Sequence, residues 1–255
     1  MKVLVAVKLT VDISQLKFES DGEPLIEAAP KKMGDADKCA VEEAVRLKEK
    51  NGARVAAVTV GSTPDHIRVI RDALAMGADE GYVIKVDNAE RLDALSVGEL
   101  IAFMAARTGP YDLILLGAGS GDTHSSTLGP IIASLLGTPI IAGADALEFR
   151  EDEVRARCMM EDGSYTYRAK PPLVVTVTSE ANEPRIPTLK AILRSKRMEV
   201  KELTPSELDA EGKEVKVGDV KRHVIPRKRE IWEAGEDLEE AAGRLIEALR
   251  KEGVI

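Results

Sequence analysis

Four short apolar runs, separated by single stretches of helical periodicity, constrain the fold of this chain more than any other feature. Residues 3–7, 55–60, 81–86 and 113–116 are compact enough for buried strands, and glycine, proline or polar turn residues bound them. Between them the spacing turns helical. Over 37–50, Ala40, Val41, Ala44, Val45 and Leu47 lie toward one side, with Glu42, Glu43, Arg46 and Lys48 around the other. Asp35 or Asp37 is placed to cap this helix and Asn51-Gly52 to end it. Residues 65–76, stopped by Gly77, and 95–107 supply two more helices. Such alternation predicts an α/β fold, a Rossmann-like parallel sheet flanked by helices.

In open sheets of this kind, ligands bind outside the carboxyl ends of the strands. Three loops line that edge: the residues after Val7, the turn Gly61-Ser62-Thr63, and residues 117–127. The last has the most to say. After the run Leu113 to Leu116 come Gly117, Ala118, Gly119, Ser120, Gly121, Asp122, Thr123, His124, Ser125, Ser126 and Thr127. A helix then starts at Leu128, with Ile131, Ile132, Leu135 and Leu136 at helical spacing and Gly137 as its stop. Glycine lets backbone approach an anion closely, and a helix N-terminus offers unpaired N–H groups. The same pattern also fits an ordinary strand-to-helix turn that binds nothing. The convergence of three loops on one edge favours a nucleotide site.

Other classes are excluded or find no support. A net charge of −8 opposes general nucleic-acid or membrane-surface binding, and 3% aromatic residues leave no base-stacking platform. Cys39 and Cys158 form no CxxC pair and read as free thiols; His66, His124 and His223 form no metal-ligand pattern. MKVLVAVKLT, interrupted by Lys8, reads as a strand rather than a leader, and no apolar stretch suits membrane insertion. A cytoplasmic location is expected. No nucleophile–base pair or paired acid for bond-breaking chemistry stands out. VAVKLTVD lacks the GxGxxG of a Rossmann dehydrogenase, and GAGSGDTHSS lacks the SGGxDS spacing of ATP-using enzymes of similar fold.

Residues 12–27 read as an excursion with a turn at Ser20-Asp21-Gly22. Beyond Gly137 a strand pair is expected around Glu151-Asp152, from Ala146 to Met160, with Tyr165 and Tyr167 past a further turn. LVVTVT at 173–178 reads as the last buried strand. Within IPTLKAILRSKR, Leu189, Ile192 and Leu193 share a face beside Lys190, Arg194, Lys196 and Arg197. This segment suits either a surface helix or a basic, leucine-bearing element that docks an acidic protein partner. From Glu199 the alternation is lost, and a final amphipathic helix is expected over 235–251 with Leu238, Ala242, Leu245, Ile246 and Leu249 on one face. The expected organisation is a domain at 1–200 and a C-terminal arm at 201–255.

VLVAVK at 3–8, AVEEAVRLKEK at 40–50, ALAMGAD at 73–79, the 117–128 loop and Asn182-Glu183-Pro184-Arg185 together resemble the beta subunit of electron transfer flavoprotein. The resemblance implies a fold of the adenine-nucleotide-binding type. It also implies a heterodimer with an alpha subunit that carries a redox FAD, while this subunit holds AMP or, in electron-bifurcating members, a second FAD. It places the nucleotide at Ala6, Asp37, Val60 and the run from Gly117 to Leu128. Backbone N–H groups and the hydroxyls of Ser120, Thr123, Ser125, Ser126 and Thr127 would hold phosphate, and Asp122 would orient the loop or meet a ribose hydroxyl. It identifies 184–198 as a recognition loop for acyl-CoA dehydrogenases, anchored by Leu189 with Ile192, Leu193, Arg194 and Arg197 around it. Electrons would pass from a flavin dehydrogenase toward a quinone reductase; a bifurcating member would take hydride from NADH and divide electrons between quinone and ferredoxin. The C-terminal arm would pack on alpha. Gly34-Asp35-Ala36-Asp37 departs from the family's usual Asn-Pro-aromatic-Asp, and only Asp122 of its acidic run is kept. A stand-alone, stress-type nucleotide-binding protein is the rival outside redox chemistry.

Overall fold

A computed structural model describes residues 1–210, 213–216, 218, 220–223, 229–231 and 238–255. The elements run in the order β1 (Lys2–Ala6), β2 (Leu9–Val11), β3 (Lys31–Met33), α1 (Asp35–Asn51), β4 (Arg54–Val60), α2 (Pro64–Met76), β5 (Glu80–Ile84), α3 (Ala94–Thr108) and β6 (Leu113–Gly117). There follow α4 (Leu128–Leu136), β7 (Ile140–Arg150), β8 (Glu153–Met160), β9 (Gly163–Ala169), β10 (Leu173–Val177), α5 (Leu189–Ser195), β11 (Val200–Leu203) and α6 (Leu238–Lys251). The chain divides into two compact units, Met1–Val220 and Lys221–Ile255.

A nine-stranded sheet in the order β11-β5-β4-β1-β6-β10-β7-β8-β9 organises the first unit. Pairing is parallel from β11 through to β7; β7–β8 and β8–β9 are antiparallel. Alternation along β1 shows how the sheet is covered. Val3 and Val5 point into a core shared with Val41, Val45 and Ile70 of α1 and α2. Leu4 and Ala6 point the other way, to Leu100 and Met104 of α3 and Ile132 of α4. Each fully buried Leu or Val contributes about 1.5–3 kcal/mol. The predicted Rossmann-like layering is therefore present. Chain order reverses beside β1, since β4 and β5 extend from one side and β6 and β10 from the other. That reversal opens a crevice at the carboxyl ends of β1 and β6.

Several elements differ from the sequence reading. Neither Asp35 nor Asp37 caps α1: Gly34 takes that position with no side-chain cap, and Asp37 turns to other work. Gly52 ends the helix in the left-handed region at φ 67, where glycine is favoured. Residues flanking the 12–27 excursion pair as the small antiparallel sheet β2–β3. β7 begins at Ile140, not Ala146. It pairs parallel with β10 and then, past a bulge that includes Gly143 at φ 73, antiparallel with β8. β10 is the last buried strand, as expected, and a further strand with an exposed face, β11, joins the edge of the sheet beside β5. In the second unit α6 is described from Leu238; residues 235–237 of the expected helix lie outside the described residues, as do 224–228 of the basic run. Cys39 and Cys158 are buried free thiols. Among the described residues no helix is long and apolar enough to cross a membrane.

Candidate functional site

The crevice is built from the ends of two strands and the first turn of α1. The Asp37 carboxylate, in that turn, is buried at 8% exposure between the strand ends. Its Oδ2 accepts from the Lys8 backbone N–H at 2.8 Å, just past β1, and its Oδ1 from the Gly117 N–H at 3.0 Å, at the end of β6. Burial pushes this carboxyl up to about 6, against the pull of those two donors and of the Lys8 charge. One side chain thus closes both strand ends on α1.

Residues 118–127 leave from this fixed point. Ala118 N–H still donates to Val177 O of β10. Past it, His124 N–H donates to Ser120 O, closing a turn, and Ser120 Oγ meets Thr123 Oγ1 at 2.9 Å. Asp122 Oδ1 accepts from the Thr123 N–H and from Lys8 Nζ, both at 2.7 Å. Burial raises the Asp122 carboxyl, but the Lys8 and Ser120 contacts outweigh it and hold the group below the usual carboxylate range. His124 and Ser126 sit at φ 44 and 53, which folds the loop back on itself. A side chain at Gly119 would place its Cβ 3.0 Å from Ser126 Oγ and 3.1 Å from the His124 ring. Thr127 gives α4 no side-chain cap. Leu128 and Gly129 open the helix directly after the hydroxyl-rich loop, at positions whose N–H groups have no acceptor within the helix, and Pro130 follows with no N–H at all.

A second feature lies along 182–198. Arg185 grips α1: its guanidinium meets Glu42 at 2.8 Å and Glu49 at 2.6 Å, and Asn182 Nδ2 donates to Glu43 Oε1 at 2.8 Å. Burial raises the Glu42 carboxyl, and the Arg185 hydrogen bonds bring it below its ordinary range. Burial leaves Glu43 raised. Thr188 Oγ1 caps α5 by accepting from the Ala191 N–H, and Arg71 of α2 donates to Ser195 O at its far end. Held at both ends, α5 still leaves Leu189 72% exposed, with Ile192, Leu193, Arg194 and Arg197 also exposed.

Residues 24–208 match the family described as Electron transfer flavoprotein domain. The electron transfer flavoprotein subunit beta of Bacillus subtilis is 32% identical over 262 residues, covering 100% of both chains. That of Thermoanaerobacterium thermosaccharolyticum is 30% identical over 262 residues with the same coverage. The human protein of the same description is 35% identical over 213 residues, 82% of this chain and 83% of its own. The chain belongs to the electron transfer flavoprotein beta-subunit family.

Against that family the predicted nucleotide positions divide plainly. Ala6 pairs with Leu116 and, with Asp37, Gly117 and the loop, gathers at one crevice. Leu128 opens α4 directly after the loop. Val60 stands at the same sheet edge but at the end of β4, paired with Ile84. The family-predicted docking residues Leu189, Ile192, Leu193, Arg194 and Arg197 lie on or just past α5, on a different element. Three residues escaped the sequence reading: Lys8 as a loop partner, Arg185 as a clamp, and Arg71 at the end of α5. Lys8 left a signal as the charge that ends the first apolar run, and Arg185 as the last residue of the Asn182-Glu183-Pro184-Arg185 turn; Arg71 left none.

Proposed function

We propose that this chain is the beta subunit of a heterodimeric electron transfer flavoprotein, a cytoplasmic electron carrier. It binds an adenine nucleotide, AMP or FAD, in the 117–128 loop. It docks flavin dehydrogenases through α5, so that electrons pass through FAD held with an alpha subunit toward a quinone reductase. The observation that carries the reading is the glycine- and hydroxyl-rich loop between β6 and the uncapped start of α4, locked by Asp37 at the sheet's reversal point. This is the anion-binding arrangement that the fold favours at that edge.

The residues fit the group. Gly119 keeps the loop surface low, and Ser120, Thr123, Ser125, Ser126 and Thr127 bring hydroxyl donors to it. Asp122 organises the loop through Thr123 and Lys8 rather than standing free. FAD, when bound, supplies the redox chemistry; the protein binds, orients and shields it. The exposed Leu189, presented on a segment pinned by Arg185 and Arg71, suits an apolar pocket on a partner dehydrogenase. In α6, Leu238, Leu245 and Ile246 are exposed, which supports the reading that this arm packs on alpha.

Co-expression with the alpha subunit tests the assembly. A yellow one-to-one complex is expected. A colourless homo-oligomer, with alpha left unbound, would favour the stand-alone nucleotide-binding protein instead.

A further inference from the structure

We propose that Lys8 is the phosphate-binding cation of the nucleotide loop, held ready by Asp122 and delivered to the phosphate of the bound nucleotide; this rests on the nucleotide reading above. Lys8 gains this role from its position beside the loop.

The Lys8 backbone is fixed, because its N–H is bound by the buried Asp37 carboxylate. Its side chain therefore departs from a defined point beside β6. From there Nζ reaches Asp122 Oδ1 at 2.7 Å, Thr123 Oγ1 at 3.2 Å and Ser120 Oγ at 3.3 Å. Three donors of one ammonium meet three acceptors of one loop. Among Ala6, Lys8, Asp37, Val60 and residues 117–128, Lys8 is the sole lysine or arginine, against two carboxylates. A cradle with that balance offers an anion only dipoles unless the ammonium takes part. The lysine side chain is 46% exposed while Asp122 is 18% exposed, so the cation stays open to solvent and the carboxylate that holds it does not. The Ser120 and Thr123 hydroxyls, which accept from Nζ and are bonded to each other at 2.9 Å, stand beside the same ammonium. The chemistry is the same for the phosphate of AMP and the pyrophosphate of FAD.

The competing role is a plain tether, in which Lys8 only ties the loop to β1 through Asp122. A tether would support adenosine and AMP alike; a phosphate cation would support AMP alone. The experiment titrates AMP, and adenosine by displacement of AMP, into the full chain freed of co-purified nucleotide, using wild type, Lys8→Met and Lys8→Arg. Lys8→Met is expected to weaken AMP by roughly 10- to 100-fold, the range for a charge-assisted hydrogen bond, with adenosine unchanged. Lys8→Arg keeps most of the AMP affinity, and the fall of AMP affinity with added salt is shallower in Lys8→Met than in wild type. Unchanged AMP affinity in Lys8→Met, or a parallel loss of AMP and adenosine, would overturn the proposal. A wild-type chain that binds neither AMP nor FAD would instead remove the nucleotide reading, and Lys8's role with it.

Discussion

Gly117→Ala is expected to lower stability by about 2–3 kcal/mol and to abolish nucleotide binding, although it adds one methyl group. The new Cβ would lie 2.5 Å from Asp37 Oδ1, 3.0 Å from Ala36 Cβ and 3.0 Å from the Asp37 backbone nitrogen. None of these can step aside. The carboxylate is pinned by the Lys8 and Gly117 N–H groups, and the other two atoms belong to the first turn of α1. Relief requires β6 and α1 to separate, which breaks the Gly117–Asp37 bond and carries Ala118 and Gly119 away from the crevice. Chemical denaturation with an AMP titration of the refolded variant measures both effects. Wild-type stability with intact binding would show that the strand end and the helix are not locked as described.

Asp37 supplies the second large effect, and its size depends on pH. Asp37→Ala leaves the Lys8 and Gly117 N–H groups buried without an acceptor, at about 1–3 kcal/mol for each. Ionisation adds a pH signature. The carboxyl sits at about 6 in the fold, raised mainly by burial from an ordinary 3.8. A raised acid holds its proton more tightly when folded. Its favourable contribution is therefore complete below about pH 4 and is lost as pH rises toward 6, a swing of about 3 kcal/mol. Asp37→Asn cannot titrate. It is thus expected to look most damaging, relative to wild type, near pH 4 and least damaging near pH 7. Urea unfolding of both proteins across that range reads the difference directly, cancelling the many other carboxylates. A constant difference, or one that grows with pH, would mean that Asp37 is not raised.

The parts of this fold that were legible are those whose signal is local. β1, β4, β5 and β6 are buried on both faces of a parallel sheet and so read as largely apolar runs, with Thr59 the buried polar exception in β4. β11 pairs at the edge with Lys201 and Glu202 exposed, which erases that signal. The start of β7 was lost because Ile140 follows a helix stop and a proline, and the change of partner at Gly143 depends on strands yet to come. The site divides in the same way. The loop announced itself through glycines and hydroxyls in one stretch. Its lock did not, since Asp37 meets Lys8 and Gly117 across the sheet, and helical periodicity assigned Asp37 to capping. The Arg185 clamp on Glu42 and Glu49 joins segments far apart in sequence, and composition gives no hint of such a pair. Family resemblance named Asp37 as a nucleotide position and included Arg185 in its motif, but did not show what either side chain grips.

The measurement that tests the account most directly is the nucleotide content of the complex purified with its alpha subunit, by denaturing it and counting FAD and AMP per heterodimer. The account predicts two adenine nucleotides, one of them in the 117–128 loop of this chain: FAD and AMP for a simple carrier, or two FAD for a bifurcating one. A properly assembled heterodimer with a single FAD and no second adenine nucleotide would contradict it.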